Sequence, residues 1–214
     1  FVFLQFSSIW IPLWFECISK KTSIFGSKLT SMEYPQVLSQ ITTFIFDVDG
    51  VLTNGQVIIQ ESGEQTRIMN IKDGFALQLA VKLGYKVIII SGGKSEAVRT
   101  RLKGLGIHDV YLSAADKAEV YDEVKITYDL KDAEIAYMGD DIPDFPVMKD
   151  VALPCCPSDA ATEILGISKY ISDKKGGEGC GRDIIEKVLR AQKKWFNQKD
   201  LNNKPNNNNQ SVVW

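Results

Sequence analysis

The sequence predicts an α/β protein, a Rossmann-like parallel sheet with helices on both faces. Two observations lead there. Short β-branched apolar runs alternate with segments whose apolar residues recur at helical spacing, the pattern of parallel strands joined by crossover helices. The chain has 214 residues, 44% hydrophobic and 24% charged, which suits one α/β domain with a substantial core and crowds out a second.

Taken in order, residues 42–46 read as a short buried strand. Residues 56–60 and 65–70 are two short runs joined by Glu61-Ser62-Gly63-Glu64, a hairpin signal. Residues 74–83 carry apolar side chains at helical spacing, and Gly84 stops them. Residues 86–90 are a β-branched strand followed by Ser91-Gly92-Gly93. Residues 95–105 are helical and end at Gly106, 110–112 form a strand, 117–128 a helix and 135–138 a strand. A helical turn at 144–149 follows, then strands at 151–153 and 170–171 with a helix at 160–165 between them. An amphipathic helix at 182–197 closes the domain, and no internal repeat is present.

The ends differ from the middle. Residues 1–15 are apolar and aromatic but broken by Gln5, Ser7, Ser8 and Pro12, too short for a spanning helix and without a basic leader. Residues 1–31 are expected to be a non-native or disordered extension upstream of a start at Met32; a membrane anchor is the alternative. The domain is expected over 32–198, followed by a disordered Asn-rich tail at 199–214.

Twenty-five basic residues against twenty-seven acidic ones, a net charge of −2, carry no basic excess for a nucleic-acid partner, and no membrane partner is expected. Cys17, Cys155, Cys156 and Cys180 lack metal-ligand or CxxC spacing and read as reduced thiols of a cytoplasmic protein. His108 is the only histidine, so any metal should be a hard ion bound by oxygen.

Ligands of open α/β sheets sit at the carboxyl ends of the strands. Three such ends carry chemistry. Asp47 and Asp49 leave the first strand two residues apart, and Gly50 lets the chain turn. Such a pair can bind a divalent cation while one acid attacks phosphorus and the other handles protons. Ser91 and Gly92 end the 86–90 strand with a hydroxyl and amides suited to phosphoryl oxygens. Asp140, Asp141 and Asp144 follow the 135–138 strand and repel one another unless a cation is near. Lys117, at the start of a helix, is the candidate cation for a transferring phosphoryl group.

In order and spacing, Asp47-Val48-Asp49, Ser91, Lys117 and Gly139-Asp140-Asp141 with Asp144 resemble the four motifs of the haloacid dehalogenase-like phosphotransferases. Asn70-Ile71-Lys72-Asp73-Gly74, Pro146-Val147-Met148 and Gly176-Gly177-Glu178-Gly179-Cys180-Gly181-Arg182-Asp183 add a likeness to the 3-deoxy-D-manno-octulosonate 8-phosphate phosphatase family. The resemblance implies a magnesium-dependent phosphatase acting on a small sugar-acid phosphate. It makes Asp47 the nucleophile and Asp49 the general acid and base. Asp47, Asp140 and the Asp49 carbonyl become Mg²⁺ ligands, with Asp141 or Asp144 in support. Ser91, Gly92 and Lys117 become phosphate contacts, and Lys72 and Arg182 substrate contacts, although the family often carries Arg at the Lys72 position.

The chain between Asp49 and Lys72 is too short for a cap domain. The resemblance implies a homotetramer in which neighbours wall the site. Four glycines between residues 176 and 181 make that segment an expected mobile contributor, and Cys180-Gly181 departs from the family's usual pair. The implied reaction belongs to lipopolysaccharide precursor synthesis. A nonulosonate 9-phosphate phosphatase is the alternative within this chemistry, and a non-catalytic binding module the alternative outside it.

Overall fold

The structure, a computed structural model, describes residues 33–195. The expected extension at 1–31 and tail at 199–214 lie outside the described residues. Among those described, no helix is long and apolar enough to cross a membrane.

Helix α1 (Glu33–Gln40) leads into β1 (Thr43–Phe46). A hairpin of β2 (Ile58–Ile59) and β3 (Gln65–Thr66) precedes α2 (Ile71–Lys82), β4 (Lys86–Ile90), α3 (Glu96–Gly104) and β5 (Asp109–Tyr111). Then come α4 (Lys117–Tyr128), β6 (Ile135–Met138), α5 (Phe145–Met148), β7 (Leu153–Cys156), α6 (Thr162–Ile167), β8 (Tyr170–Ile171) and α7 (Cys180–Ala191). The main sheet runs β5-β4-β1-β6-β7-β8, every pairing parallel, and the hairpin pairs antiparallel.

Strand alternation explains the two-layered core. Phe44, Phe46, Val87, Ile89, Ala136 and Met138 face one side and pack with residues of α1, α2, α3 and α7. Ile45, Ile88, Ile90, Ile135 and Tyr137 face the other and pack with residues of α4, α5 and α6. Burying one such Ile stabilises the fold by roughly 1.5–3 kcal/mol, and truncating Ile89, fully buried in β4, to Ala costs about 2–5 kcal/mol.

Helix starts follow side-chain caps. Asn70 accepts the Lys72 N–H, so α2 begins three residues before the expected 74. Ser95 caps α3, and Asp116 caps α4 by accepting the Ala118 and Glu119 N–H groups.

Four expectations need correction. Helix α1 lies where no element was expected, with Pro35 tolerated in its first turn. Strand β7 lies at 153–156, not 151–153, and uses Cys155 and Cys156 as buried strand residues. Helix α7 runs from Cys180 to Ala191, starting and ending earlier than 182–197.

The fourth is the glycine segment at 176–181, which is docked rather than mobile. Gly177 donates its N–H to the Val51 carbonyl at 2.9 Å. A Cβ at Gly176 would lie 2.0 Å from the Gly50 carbonyl oxygen, so only glycine permits this approach. The Asn70 amide reaches the Gly177 carbonyl at 3.1 Å, and the Arg182 N–H reaches Asp73 Oδ1 at 2.6 Å. The segment therefore straps the loop after β1 to α2.

Candidate active site

The chain leaves central β1 for β4 on one side and returns to β6 on the other. That reversal places the ends of β4, β1 and β6 around one crevice. Register fixes the depth. Phe46 pairs with Ile89 and with Met138, and the Asp47 N–H continues the ladder to the Met138 carbonyl at 3.0 Å. Asp47, Ser91 and Asp140 thus emerge side by side.

They line a hollow of about 420 Å³ together with Asp49, Gly92, Lys117 and Asp144. Lys117 supplies the central cation. Its Nζ lies 2.8 Å from Asp47 Oδ2 and 2.6 Å from Asp144 Oδ1, and all three side chains are buried. A lysine in the first turn of a helix opposes the helix dipole, so position alone disfavours it; two carboxylates offset that cost. Burial pushes the Lys117 pKa down, but Asp47 and Asp144 outweigh it and the net shift is upward.

Asp144 is a strut. Its Oδ1 accepts from Lys117 and from the Tyr137 hydroxyl, each at 2.6 Å, and its Oδ2 accepts the N–H groups of Asp140 and Asp141 at 3.2 and 3.4 Å. Both oxygens are committed, so the acids after β6 do not simply repel one another: one of them holds the loop that carries the others. The Tyr137 hydroxyl is pushed far above its usual pKa by burial and by Asp144, so it stays a donor.

The negative charge left over gathers at Asp47 and Asp140. Burial, then Asp144, lifts the Asp47 pKa to about 6. Burial, then Asp47 and Asp144, lifts Asp140 to about 7. Carboxylate oxygens of Asp47, Asp140 and Asp144 lie within 4.8 Å of one another. Asp140 Oδ1 is buried with no hydrogen-bond partner, and a Cβ at Gly50 would come within 2.0 Å of Asp140 Oδ2. An orphaned oxygen in a crowded acidic pocket fits a divalent cation coordinated by oxygen.

Ser91 is buried at the end of β4, and its Oγ accepts the Gly93 N–H at 3.1 Å. Gly92 lines the hollow beside it. Asp49 stands apart from the acidic trio: its side chain forms a fork with Arg67, Nε to Oδ1 at 2.6 Å and Nη2 to Oδ2 at 3.1 Å.

Sequence reasoning missed Arg67. It sits just past β3 among exposed residues, and nothing in the local pattern ties it to an acid far back along the chain. It also missed Tyr137, whose apolar strand context hid its hydroxyl.

Lys72 and Arg182 are not among the residues of this chain that line the hollow; they line a separate cavity with Phe75, Glu186, Arg190 and Trp195. The Arg182 guanidinium lies 5.7 Å from the Phe75 ring and 5.4 Å from the Trp195 ring, and its Nε lies 3.4 Å from Glu186.

No family model matches the chain. It is 33% identical over 159 residues to the 3-deoxy-D-manno-octulosonate 8-phosphate phosphatase of Yersinia pestis, an alignment covering 74% of this chain and 85% of the relative. The solved 3-deoxy-D-manno-octulosonate 8-phosphate phosphatase of Moraxella catarrhalis, in complex with a magnesium ion, a phosphate ion and KDO, superposes with a TM-score of 0.74. Identity there is 30%, over 77% of this chain and 94% of that one. A haloacid dehalogenase superfamily hydrolase of Legionella pneumophila superposes with a TM-score of 0.74 at 34% identity, over 76% of this chain and 90% of that one. With this fold and this cluster of acids, the chain belongs to the 3-deoxy-D-manno-octulosonate 8-phosphate phosphatase family of the haloacid dehalogenase superfamily and is a phosphoric monoester hydrolase.

Proposed function

We propose that the protein hydrolyses 3-deoxy-D-manno-octulosonate 8-phosphate to the free sugar acid and inorganic phosphate, through a phosphoryl group carried on Asp47. The observation that carries this reading is the buried Lys117 held between Asp47 and Asp144 beneath an open, acid-rimmed hollow.

Asp47 is the attacking group. Its Oδ1 accepts the Val48 N–H at 2.6 Å and its Oδ2 faces Lys117, so the carboxylate has one orientation. Lys117 keeps it ionised and screens it from the incoming phosphate dianion. Ser91 and the Gly92 turn hold phosphoryl oxygens. Asp49 protonates the ester oxygen as its bond to phosphorus breaks, and then takes a proton from the water that releases phosphate from Asp47. A divalent cation, Mg²⁺ in this reading, held by Asp47, Asp140 and the Asp49 carbonyl, would neutralise charge on the phosphoryl oxygens.

Among the described residues no cap domain covers the hollow, and the hairpin beside it exposes Val57, Ile58, Ile59 and Ile68, with Ile71 at the start of α2. This apolar row supports a homotetramer in which neighbouring subunits cover the hairpins. The reaction would serve lipopolysaccharide precursor synthesis in the cytoplasm.

Phosphate release from a panel of sugar-acid phosphates with Mg²⁺ tests the assignment. The octulosonate 8-phosphate is expected among the best substrates. A clear preference for a nonulosonate 9-phosphate would instead assign the longer acid.

A further inference from the structure

We propose that Arg67, carried by the hairpin, is a positioning residue that aims Asp49 at the leaving-group oxygen. This rests on the reading of Asp49 as proton donor. The Asp49 carboxylate is not held by Lys117, and Arg67 is the cation on it.

The geometry is specific. Arg67 Nε reaches Asp49 Oδ1 at 2.6 Å and Nη2 reaches Oδ2 at 3.1 Å, a two-point contact that fixes rotation as well as distance. The Arg67 side chain is only 9% exposed, against 34% for Asp49, so the arginine is the anchored partner.

Asp49 Oδ2 is turned toward the Ser91-Gly92-Gly93 turn. A Cβ at Gly93 would lie 3.1 Å from that oxygen, 3.4 Å from Ser91 Oγ and 3.6 Å from Arg67 Nη2. The shorter contact is thus a pivot on Oδ1, while the longer one leaves Oδ2 over the phosphate cradle. Gly92, Gly93 and Arg67 also line a second hollow of about 610 Å³ with Lys94 and Ser95. Gly92 and Gly93 are shared with the catalytic hollow, so Asp49 and Arg67 stand near the passage between the two.

Proton transfer requires the longer Nη2 contact to open, so that Oδ2 carries the proton while Nε holds Oδ1; that proton then passes to the bridging ester oxygen as the P–O bond breaks and the bond from Asp47 to phosphorus forms. Water then attacks phosphorus, the Asp47–phosphorus bond breaks, and the water proton returns to Asp49. Protons balance over the cycle, and Arg67 gives up none. Its task is to keep Oδ2 within reach of that oxygen, which matters most when the leaving group is a poorly stabilised alkoxide.

The test compares Arg67→Met, Arg67→Lys and Asp49→Asn in the full, Mg²⁺-loaded chain, on an alkyl sugar phosphate and on p-nitrophenyl phosphate. The aryl leaving group departs without a proton. For Arg67→Met the expected result is a fall in kcat of about 10²-fold on the alkyl ester, within the range for general acid catalysis. The fall on the aryl ester should be several-fold smaller, with KM little changed on both. Arg67→Lys, which keeps a single contact, should recover most of the alkyl activity and controls for misfolding. Equal losses of Arg67→Met on both esters, or none, would overturn the proposal, provided Asp49→Asn discriminates between them. Because Asp49 also serves the hydrolytic water on both esters, the comparison is read on the phosphorylation step, as the pre-steady-state burst of released alcohol or nitrophenol; if Asp49→Asn slows that burst equally on both, the proton-donor reading of Asp49 fails instead.

Discussion

Two cavities of this molecule hold the same kinds of side chain and do different things with them. The acidic hollow pairs one lysine with two aspartates; the outer cavity pairs two arginines with one glutamate. In the first, Lys117, Asp47 and Asp144 are all at least nine-tenths buried. Removing one partner there strands a buried charge, a loss of about 3–5 kcal/mol. In the second, the Arg182 and Glu186 side chains are 35% and 26% exposed and Arg190 is 62% exposed. Water screens these pairs, which contribute roughly 0–1 kcal/mol each. Among the described residues, Asp140 Oδ1 in the acidic hollow is buried without a hydrogen-bond partner, and so is Asp73 Oδ2, whose other oxygen accepts the Arg182 N–H. Burial, not the residue types, separates the two clusters.

The sharpest break in that contrast is Asp47→Asn. It should lower turnover by about 10⁴-fold or more in steady-state phosphate release, while Arg182→Ala in the outer cavity changes turnover of p-nitrophenyl phosphate less than about threefold. A comparable loss from Arg182→Ala would mean that the outer cavity reaches the reacting atoms. Chelating the divalent cation should abolish activity, and added Mg²⁺ should restore it, as followed in the same assay.

Gly50→Ala comes next. Gly50 has φ of 85°, and an added Cβ would collide with the Asp140 carboxylate. Metal affinity should drop about 10–100-fold, a size seen when the surroundings of metal ligands are disturbed; calorimetric titration measures it.

The smallest effect is on stability against pH. Asp47 and Asp140 have folded-state pKa values raised to about 6 and about 7, above the ordinary carboxylate value of 3.8. Between about pH 7 and pH 4 the folded state therefore binds protons that the unfolded chain does not. By linkage the metal-free protein becomes more stable as pH falls through that window, and the ionised pair destabilises it above. Thermal melts of the metal-free protein from pH 7.5 down to about pH 5 should show a rising midpoint, once compared with Asp140→Asn, in which the rise is reduced. Metal binding runs the other way, weakening as the same acids take up protons.

How much of this was legible in the sequence follows from how local each signal is. The strands at 86–90 and 135–138 and the helix at 117–128 were read to the residue, because β-branched runs, a following glycine and an Asp cap act over short distances. Asp47, Asp140 and Ser91 follow strands and were readable as strand-end residues. The roles of Asp144 and Arg67 depend on partners 27 and 18 positions away, and no periodicity encodes those. The glycines at 176–181 looked like slack because composition reports freedom and not contact; the structure spends that freedom on a backbone approach at Gly176. Pro154 disguised β7, since proline argues against an inner strand, yet here its carbonyl still accepts the Lys169 N–H at 3.0 Å.

The central claim is that the Asp47 carboxylate, held by the Val48 N–H on one oxygen and by Lys117 on the other, becomes phosphorylated. Asp49→Asn should slow release of that group, and acid quenching followed by peptide mass spectrometry should find one phosphoryl group on the peptide containing Asp47. A phosphoryl group on a different residue, or none while the variant still turns over substrate, would contradict it.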